Sequence, residues 1–457
     1  MLIEFSVGNY LSIKNTVTFS MLASNSVKEL ENINEGLNNI FFDKAEKSKF
    51  LKSAVIYGAN GSGKSNLLSA LGFFRKFVLV SSNDRQAEDE ISTIPFLLST
   101  EAEHSPSSFE MVFMIGTARF RYGFEVTKKH VTSEWLFGFD TNISNKESSY
   151  FTRENQEIKV FNKNFKEGRG LEDKTRANAL FLSTVAQLNG EISNIIQNWL
   201  RTHVNIISGL ENLTTGYTID RFQEQEGFRK KIIDFIQLID LGIVDLRIEE
   251  TALDNLSKFT PQKKEGEKIA LLIEELRKEL KERMKKGADP KEITINAFHK
   301  KFNEANKLID SIAIDFELES KGTKKIFALL GPWFDTLENG KVLIIDELDA
   351  SLHSKLTTEL LKIFQANINL KNAQLIFASH DTNLLRNDLF RRDQIWFTEK
   401  DEFGATDLYS LVEYKINQAT SVRNDASFEK DYLIGKYGAI PYFGDIPKFL
   451  NDFLNEQ

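Results

Sequence analysis

Residues 58–65 read Gly58-Ala59-Asn60-Gly61-Ser62-Gly63-Lys64-Ser65, and no other stretch constrains the fold as tightly. The pattern is G-x-x-x-x-G-K-[ST]; the apolar run SAVIY precedes it and the helix-forming run NLLSALGFFRKF follows it. The glycines let the loop turn back so that successive backbone N–H groups face a phosphate. The helix start adds a partial positive charge at the same place. Lys64 is expected to reach the β- and γ-phosphates and the Ser65 hydroxyl to bind Mg²⁺. Gly58, Asn60, Gly61, Ser62, Gly63 and Asn66 complete the expected phosphate site. A chance glycine-rich turn is the bland alternative, and the flanking strand and helix argue against it.

A phosphate cradle hydrolyses nothing alone. Val342-Leu343-Ile344-Ile345-Asp346-Glu347 supplies carboxylates at the end of an apolar strand, where open α/β sheets bind their ligands. Asp346 would hold Mg²⁺, directly or through water, and Glu347 would orient or deprotonate an attacking water. Adjacent acids after a strand could form a solvated turn, but the loop at 58–65 gives them a partner. A second apolar run, QLIFAS, is followed by His380, where a donor could sense the γ-phosphate. Ser320 and Gly322, in ESKGTKK before an apolar helical run, read as an anion-binding nest. A plain N-cap explains Ser320 equally well. Asp349 opens the segment Asp349-Ala350-Ser351-Leu352-His353 directly after the acids.

The 457 residues, 41% hydrophobic, can bury a large core and suit two to three domains, or one with a long insertion. A net charge of −8 gives no global reason to bind DNA or anionic membranes, and leaves a local basic patch open. The absence of cysteine excludes disulfides, cysteine-ligated zinc and a thiol nucleophile. No run of about 18 apolar residues marks a membrane span. The opening residues read as a strand and not as a signal peptide, so a cytoplasmic protein is expected. The 37 phenylalanines read as core filling, with stacking platforms for single strands as the minority reading.

Alternating segments make the first third β-rich, with an antiparallel meander between 91 and 161. Helical spacing takes over at 174–200 and 226–240. Two charged helices, 264–286 and roughly 291–309, are expected to form an αα-hairpin about the break at 287–290. Its charge run reads as a solvated face, with a partner-docking arm as the sharper alternative. The segment 396–411 reads as a strand pair. The expected division is 1–171 and 318–457 as two parts of one head, with 172–317 as a helical insertion.

Phosphate loop, serine–glycine turn, strand-borne acids, aspartate loop and histidine, in this order, resemble the head of ABC-type ATPases, near the group with RecF, SMC and the OLD nucleases. The stretches VGNYLSIKN, IYGANGSGKSNLL, PFLLS, RYGFEV, EWLF, NALFLSTVAQLN, ESKGTKK, IIDELDASLH, SHDTNLL, RRDQIWFTEKD and LIGKYGAIP resemble the AAA ATPases of group fifteen. That group includes ATPase components of abortive-infection systems such as AbiL and its RloA-like relatives. The fold implied is α/β: an ABC-type P-loop head with an antiparallel β lobe and a helical insertion. ATP and Mg²⁺ are the implied ligands, with Glu347 as catalytic glutamate and His380 as switch histidine beside Lys64.

By the same resemblance, Ser320 and Gly322 would contact ATP held by another subunit, and Asp349 would lie in the loop coupling the two sites. A homodimer or higher even oligomer is therefore implied. Phe96 and Leu97 stand where many ABC heads have a Mg²⁺-sensing glutamine, and Lys321 stands where the signature usually has glycine. The chain after His380 is too short for a nuclease domain, so a separate nuclease- or toxin-like effector is expected. A RecF- or SMC-like DNA-binding ATPase is the alternative, and a nucleotide-gated scaffold with rare turnover is the third.

Overall fold

The structure is a computed structural model of the chain, and it describes residues 1–27, 38–43, 47–83, 86, 88–143, 146–161, 163–208, 215–239, 242–252, 291–416, 420–423 and 426–441. The chain divides into two compact units, residues 1–213 with 332–457, and residues 214–331.

The first unit holds two large sheets. One is antiparallel, in the order β10-β9-β8-β7-β6-β1-β2. Its members are β1 (Leu2–Gly8), β2 (Val17–Ser20), β6 (Ser107–Ile115), β7 (Ala118–Val126), β8 (Val131–Asp140), β9 (Ser148–Glu154) and β10 (Glu157–Val160). The expected meander is therefore present. A small hairpin, β3 (Ile40–Asp43) with β4 (Ser48–Leu51), accompanies it.

The other sheet has the order β11-β15-β16-β5-β17-β18, with β5 (Ser53–Tyr57), β11 (Val204–Ile207), β15 (Val342–Ile345), β16 (Gln374–Ala378), β17 (Ile395–Lys400) and β18 (Thr406–Ser410). The first five are parallel, and β18 returns antiparallel to β17, which bears out the expected strand pair. Every residue of β5, β15 and β16 is buried, as expected of parallel strands covered on both faces. A last hairpin pairs β19 (Lys415–Ile416) with β20 (Thr420–Ser421).

Helix α1 (Lys64–Val80) packs its aromatic side chains against the antiparallel sheet. Phe74 stacks on Phe124 at 5.4 Å and meets Phe5 edge-on at 5.9 Å. Phe73, Phe77 and Phe109 extend the same cluster, and Phe5, Phe19, Phe50, Phe74, Phe77 and Phe109 are all fully buried, as the core-filling reading requires. Helices α2 (Thr100–His104), α3 (Phe181–Gln187) and α4 (Glu191–His203) follow in this unit. A buried carboxylate starts α3: Glu134 accepts from Phe181 N at 2.6 Å, Leu182 N at 3.0 Å and Tyr122 Oη at 2.9 Å, with the Arg153 guanidinium 3.7 Å away.

The second unit contains α5 (Gly216–Glu224), α6 (Glu226–Leu238) and an antiparallel sheet of β12 (Ile243–Ala252), β13 (Lys291–Phe302) and β14 (Leu308–Asp315). The helix expected over 291–309 is thus a correction: the segment is β13 and the start of β14. Ile293, Thr294 and Ile295 favour an extended backbone, and the period is two, with Ile295 and Ala297 buried between more exposed neighbours. The other arm of the expected αα-hairpin, 264–286, lies outside the described residues. The described residues 172–208 belong to the first unit, where β11 joins the parallel sheet. Helix α7 (Lys321–Asn339) crosses the boundary between Gly331 and Pro332; α8 (Ser354–Gln365) and α9 (Phe428–Leu433) lie in the first unit.

Candidate nucleotide site

Register places the motifs together. In the parallel sheet β16 lies between β15 and β5, with Ile345 beside Phe377 and Ala378 beside Ile56. The residues after these strand ends, Asp346-Glu347, Ser379-His380 and the loop from Gly58, therefore emerge side by side at the C-terminal edge. A cavity of about 620 Å³ opens there, lined by Asn60 through Asn66 together with Glu347, Asp349, Ala350 and His380. Gly58 and Asp346 are not on its wall: Gly58 is buried, and Asp346 sits half-buried at the end of β15.

The loop is held from beneath by hydroxyls that carry no motif. Thr398 Oγ1 lies 2.6 Å from Ser62 Oγ, and Thr406 Oγ1 donates to Ser62 O at 2.8 Å. Ser12 Oγ is 2.7 Å from Thr406 Oγ1 and accepts from Asn66 Nδ2 at 2.6 Å, so the Asn66 amide is engaged by the scaffold. This closeness explains two glycines. A Cβ on Gly58 would lie 2.4 Å from Thr398 O, and one on Gly63 would lie 2.3 Å from Thr406 Oγ1. Gly63 also has φ +113°, which side chains disfavour.

Lys64 is almost fully buried and donates to Gly58 O at 2.8 Å and Ala59 O at 3.2 Å. Burial lowers its pKa, while Asp346, Glu347 and Asp349 pull the other way. A phosphate entering the cavity meets an ammonium already aimed into the loop.

The acids sit in a strained turn. Asp346 N bonds Ile207 O at 2.9 Å and Leu348 N bonds Ala378 O at 3.2 Å, which fixes the chain on both sides of Glu347. Glu347 itself has φ +54°, a conformation that costs a non-glycine residue about 1–2 kcal/mol. Such strain clusters at functional sites. Oδ1 of Asp346 and Oδ1 of Asp349 are buried and carry no hydrogen bond among the described residues. A cation or a ligand donor suits both atoms. Ser65 faces outward on the cavity wall, so its hydroxyl and the Asp346 carboxylate fit the chemistry of a Mg²⁺ site completed by phosphate oxygens and water.

Asp349 reaches across to the next strand end, accepting from His380 N at 3.2 Å through Oδ2. The His380 pKa is lowered, first by burial of the ring and then by the charge of Lys64. Its loop is braced by Tyr57, whose hydroxyl donates to Asp381 O at 2.9 Å. His353 instead caps α8, accepting from Lys355 N at 3.1 Å.

In the second unit, Ser320 precedes α7 and its Oγ accepts from Thr323 N at 3.1 Å, the capping role weighed from the sequence. Gly322 lies in the first turn of that helix. Phe96 is buried and its N–H donates to Asn9 Oδ1 at 3.0 Å, whereas Leu97 is exposed. Asn9, in VGNYLSIKN, also donates to Ala102 O and Ser105 O, so it organises the PFLLS segment. Sequence reasoning passed over Asn9, Ser12, Thr398 and Thr406, because isolated polar residues on strands and turns have no spacing signature.

Among solved structures, an SMC head bound to the C-winged helix domain of ScpA is 14% identical, covers 90% of this chain and 97% of its own, and has a TM-score of 0.45. The SMC head domain from Thermotoga maritima is 12% identical, with 90% and 98% covered and a TM-score of 0.36. The recombination mediator RecF with ATP is 14% identical, with 89% and 97% covered and a TM-score of 0.30. No curated protein matches. Residues 53–386, most of the chain and all of the cavity wall, match the family described as "AAA domain, putative AbiEii toxin, Type IV TA system", and the chain belongs to that family of ATPases.

Proposed function

We propose that this chain hydrolyses ATP in a site completed by a second copy of itself, and that the cycle of closing and release controls a separate effector protein in bacterial anti-phage defence. The observation that carries the reading is the single cavity whose wall joins Lys64, Ser65, Glu347, Asp349 and His380. Backbone N–H groups of the loop and Lys64 bind the phosphates, and the half-buried Asp346 with Ser65 would hold Mg²⁺. A bound Mg²⁺ would supply positive charge against the negative charge of the transferring phosphoryl group. Glu347, fixed by the turn on either side, orients the attacking water and accepts its proton. His380, kept neutral at ordinary pH, donates toward the γ-phosphate, and Asp349 holds its backbone in place.

Ser320 and Gly322 of a second copy close the site from outside, so ATP joins two chains and hydrolysis parts them. The association with defence rests on the family description and on the resemblance to abortive-infection ATPases, and the effector's nuclease- or toxin-like character belongs to the same proposal. The acidic balance of the chain speaks against the alternative of a DNA clamp, which would show strongly salt-dependent DNA affinity.

Glu347→Gln with ATP and Mg²⁺ tests the reading. Phosphate release should fall by about 10²–10⁴-fold, and sedimentation at micromolar protein should give a persistent dimer. A Glu347→Gln protein that turns over ATP at the wild-type rate, or stays monomeric with ATP bound, ends the proposal.

A further inference from the structure

The turn that delivers Ser320 is tied to the middle of the second unit's sheet by one side-chain pair. His299 Nε2, on β13, lies 2.6 Å from Glu319 Oε1, and the two side chains are only 22% and 12% exposed. Glu319 immediately precedes Ser320. A bond this short between an imidazole and a carboxylate belongs to the stronger class of hydrogen bond.

Other described contacts of the turn are local. Asp315 accepts from Glu317 N at 2.9 Å, Glu319 N donates to Phe316 O at 3.0 Å, and the buried Phe316 ring meets Phe327 of α7 edge-on at 5.1 Å. Lys324 reaches back to Glu317 at 2.8 Å. These contacts hold the turn to the helix it feeds. The His299 bond reaches the central strand, 20 residues back in sequence. On its Nδ1 side the imidazole faces Gly242, where even an added Cβ would stay 3.4 Å away, and a cavity lined by Gly242, Ile243, Val244 and His299. Backbone pairing of His299 with Ile243 on β12 and Ile312 on β14 fixes its height in the sheet.

We infer that His299 is a positioning residue for the serine–glycine turn: through Glu319 it sets where the Ser320 hydroxyl and the first N–H groups of α7 point. A displacement of β13 then reaches Ser320 through this hydrogen bond as well as through β14, which pairs with β13 as far as Asp315 and runs on into the turn. The pairing of two ATP-loaded chains is thereby made sensitive to the state of the second unit's sheet. The inference rests on the shared-site reading above, in which Ser320 serves the nucleotide of a partner and not its own.

The test compares His299→Ala and His299→Gln in a Glu347→Gln background. ATP-dependent dimerisation is measured by sedimentation, and binding of a fluorescent ATP analogue is measured at protein concentrations below the dimer range. His299→Ala should weaken dimerisation about tenfold or more, the scale of one hydrogen bond to a charged group. Monomer nucleotide binding should stay within twofold, and the thermal midpoint should hold. His299→Gln, which keeps a donor near Nε2, should restore most of the dimer, and Glu319→Ala added to His299→Ala should cost little more.

A dimer unchanged by His299→Ala, a parallel loss of monomer nucleotide binding, a lost thermal transition, or a glutamine variant no better than alanine each overturns the inference. A Glu347→Gln reference that stays monomeric with ATP overturns the shared-site reading itself, and the inference falls with it. A reference that dimerises and ignores His299 overturns the inference alone.

Discussion

Thr406→Val is a sharp probe of how the nucleotide loop is held. Valine keeps the shape of threonine, so the substitution opens no cavity and acts through the hydroxyl. Two partners lose it: Ser62 O, bonded at 2.8 Å in a buried setting, and Ser12 Oγ at 2.7 Å. Ser12 is half-buried and keeps Asn66, so its loss is small. The Ser62 carbonyl sits under the loop, and losing a partner for a buried acceptor costs about 1–3 kcal/mol. The loop can recover the bond only by shifting, which moves the N–H groups that face the phosphates. If the cost falls on the bound geometry, ATP affinity drops about 5- to 150-fold. Titration with a fluorescent ATP analogue and Mg²⁺ measures the drop, and thermal unfolding checks that the chain still folds. Thr406→Ser, which keeps the hydroxyl, should bind within about threefold of wild type. A valine variant that binds as tightly as wild type refutes the reasoning, and so does a serine variant as weak as valine.

Two further predictions concern buried charge. Lys52 is 4% exposed, reaches the carbonyls of Gln365 and Ala366 at 3.4 and 3.3 Å among the described residues, and burial pushes its pKa from 10.5 down to about 8. Keeping it charged therefore costs stability below pH 8, up to about 3 kcal/mol, and the cost fades as pH rises towards the unfolded value. Lys52→Met, which forfeits two long hydrogen bonds, should gain about 1–2 kcal/mol at pH 7 and nothing near the unfolded pKa; thermal midpoints that differ equally across that range contradict this. Glu134→Gln leaves Arg153 without its counter-charge and turns a donor towards other donors, for a loss of about 3–5 kcal/mol. The midpoint should fall by several degrees and be partly recovered in Glu134→Leu with Arg153→Met; a Gln variant within a degree of wild type rules the pair out as a determinant.

The parts of this molecule that were legible in the sequence share a property: their physics is local. Buried parallel strands show as unbroken apolar runs, so SAVIY, VLII and QLIFA each become a strand whose residues are all buried. The loop at 58–65 announces itself because its glycines are required by φ values and by close approach to other atoms, and its lysine by charge. Asp346, Glu347 and His380 follow because they end those strands, and strand order alone carries them to one edge. Segment 291–302 was lost because its charges, at Lys291, Glu292, Lys300 and Lys301, resemble those of a solvated helix, while the β-branched alternation between them is only a few residues long. What decided the matter was pairing with β12 and β14 on either side, a nonlocal term that no window along the chain contains.

The same distinction separates the residues that face the cavity from those that hold it. Thr398 and Thr406 come from a hairpin more than 300 positions beyond the loop, with sequence separations of 336 and 344 from Ser62, and Ser12 from the turn after β1. Each is an ordinary hydroxyl in an ordinary setting until the fold places it under Ser62. The stretches VGNYLSIKN and RRDQIWFTEKD supply part of this support, Ser12 from the first and Thr398 from the second, while Asn9 holds the segment at Phe96 and the buried Arg391–Asp393 pair, at 2.7 Å, receives Ser24 N. A phosphate loop is thus a short motif resting on a distributed scaffold. Substitutions in the scaffold should weaken nucleotide binding in proportion to the hydrogen bonds they remove, while leaving Lys64 and Glu347 chemically unchanged.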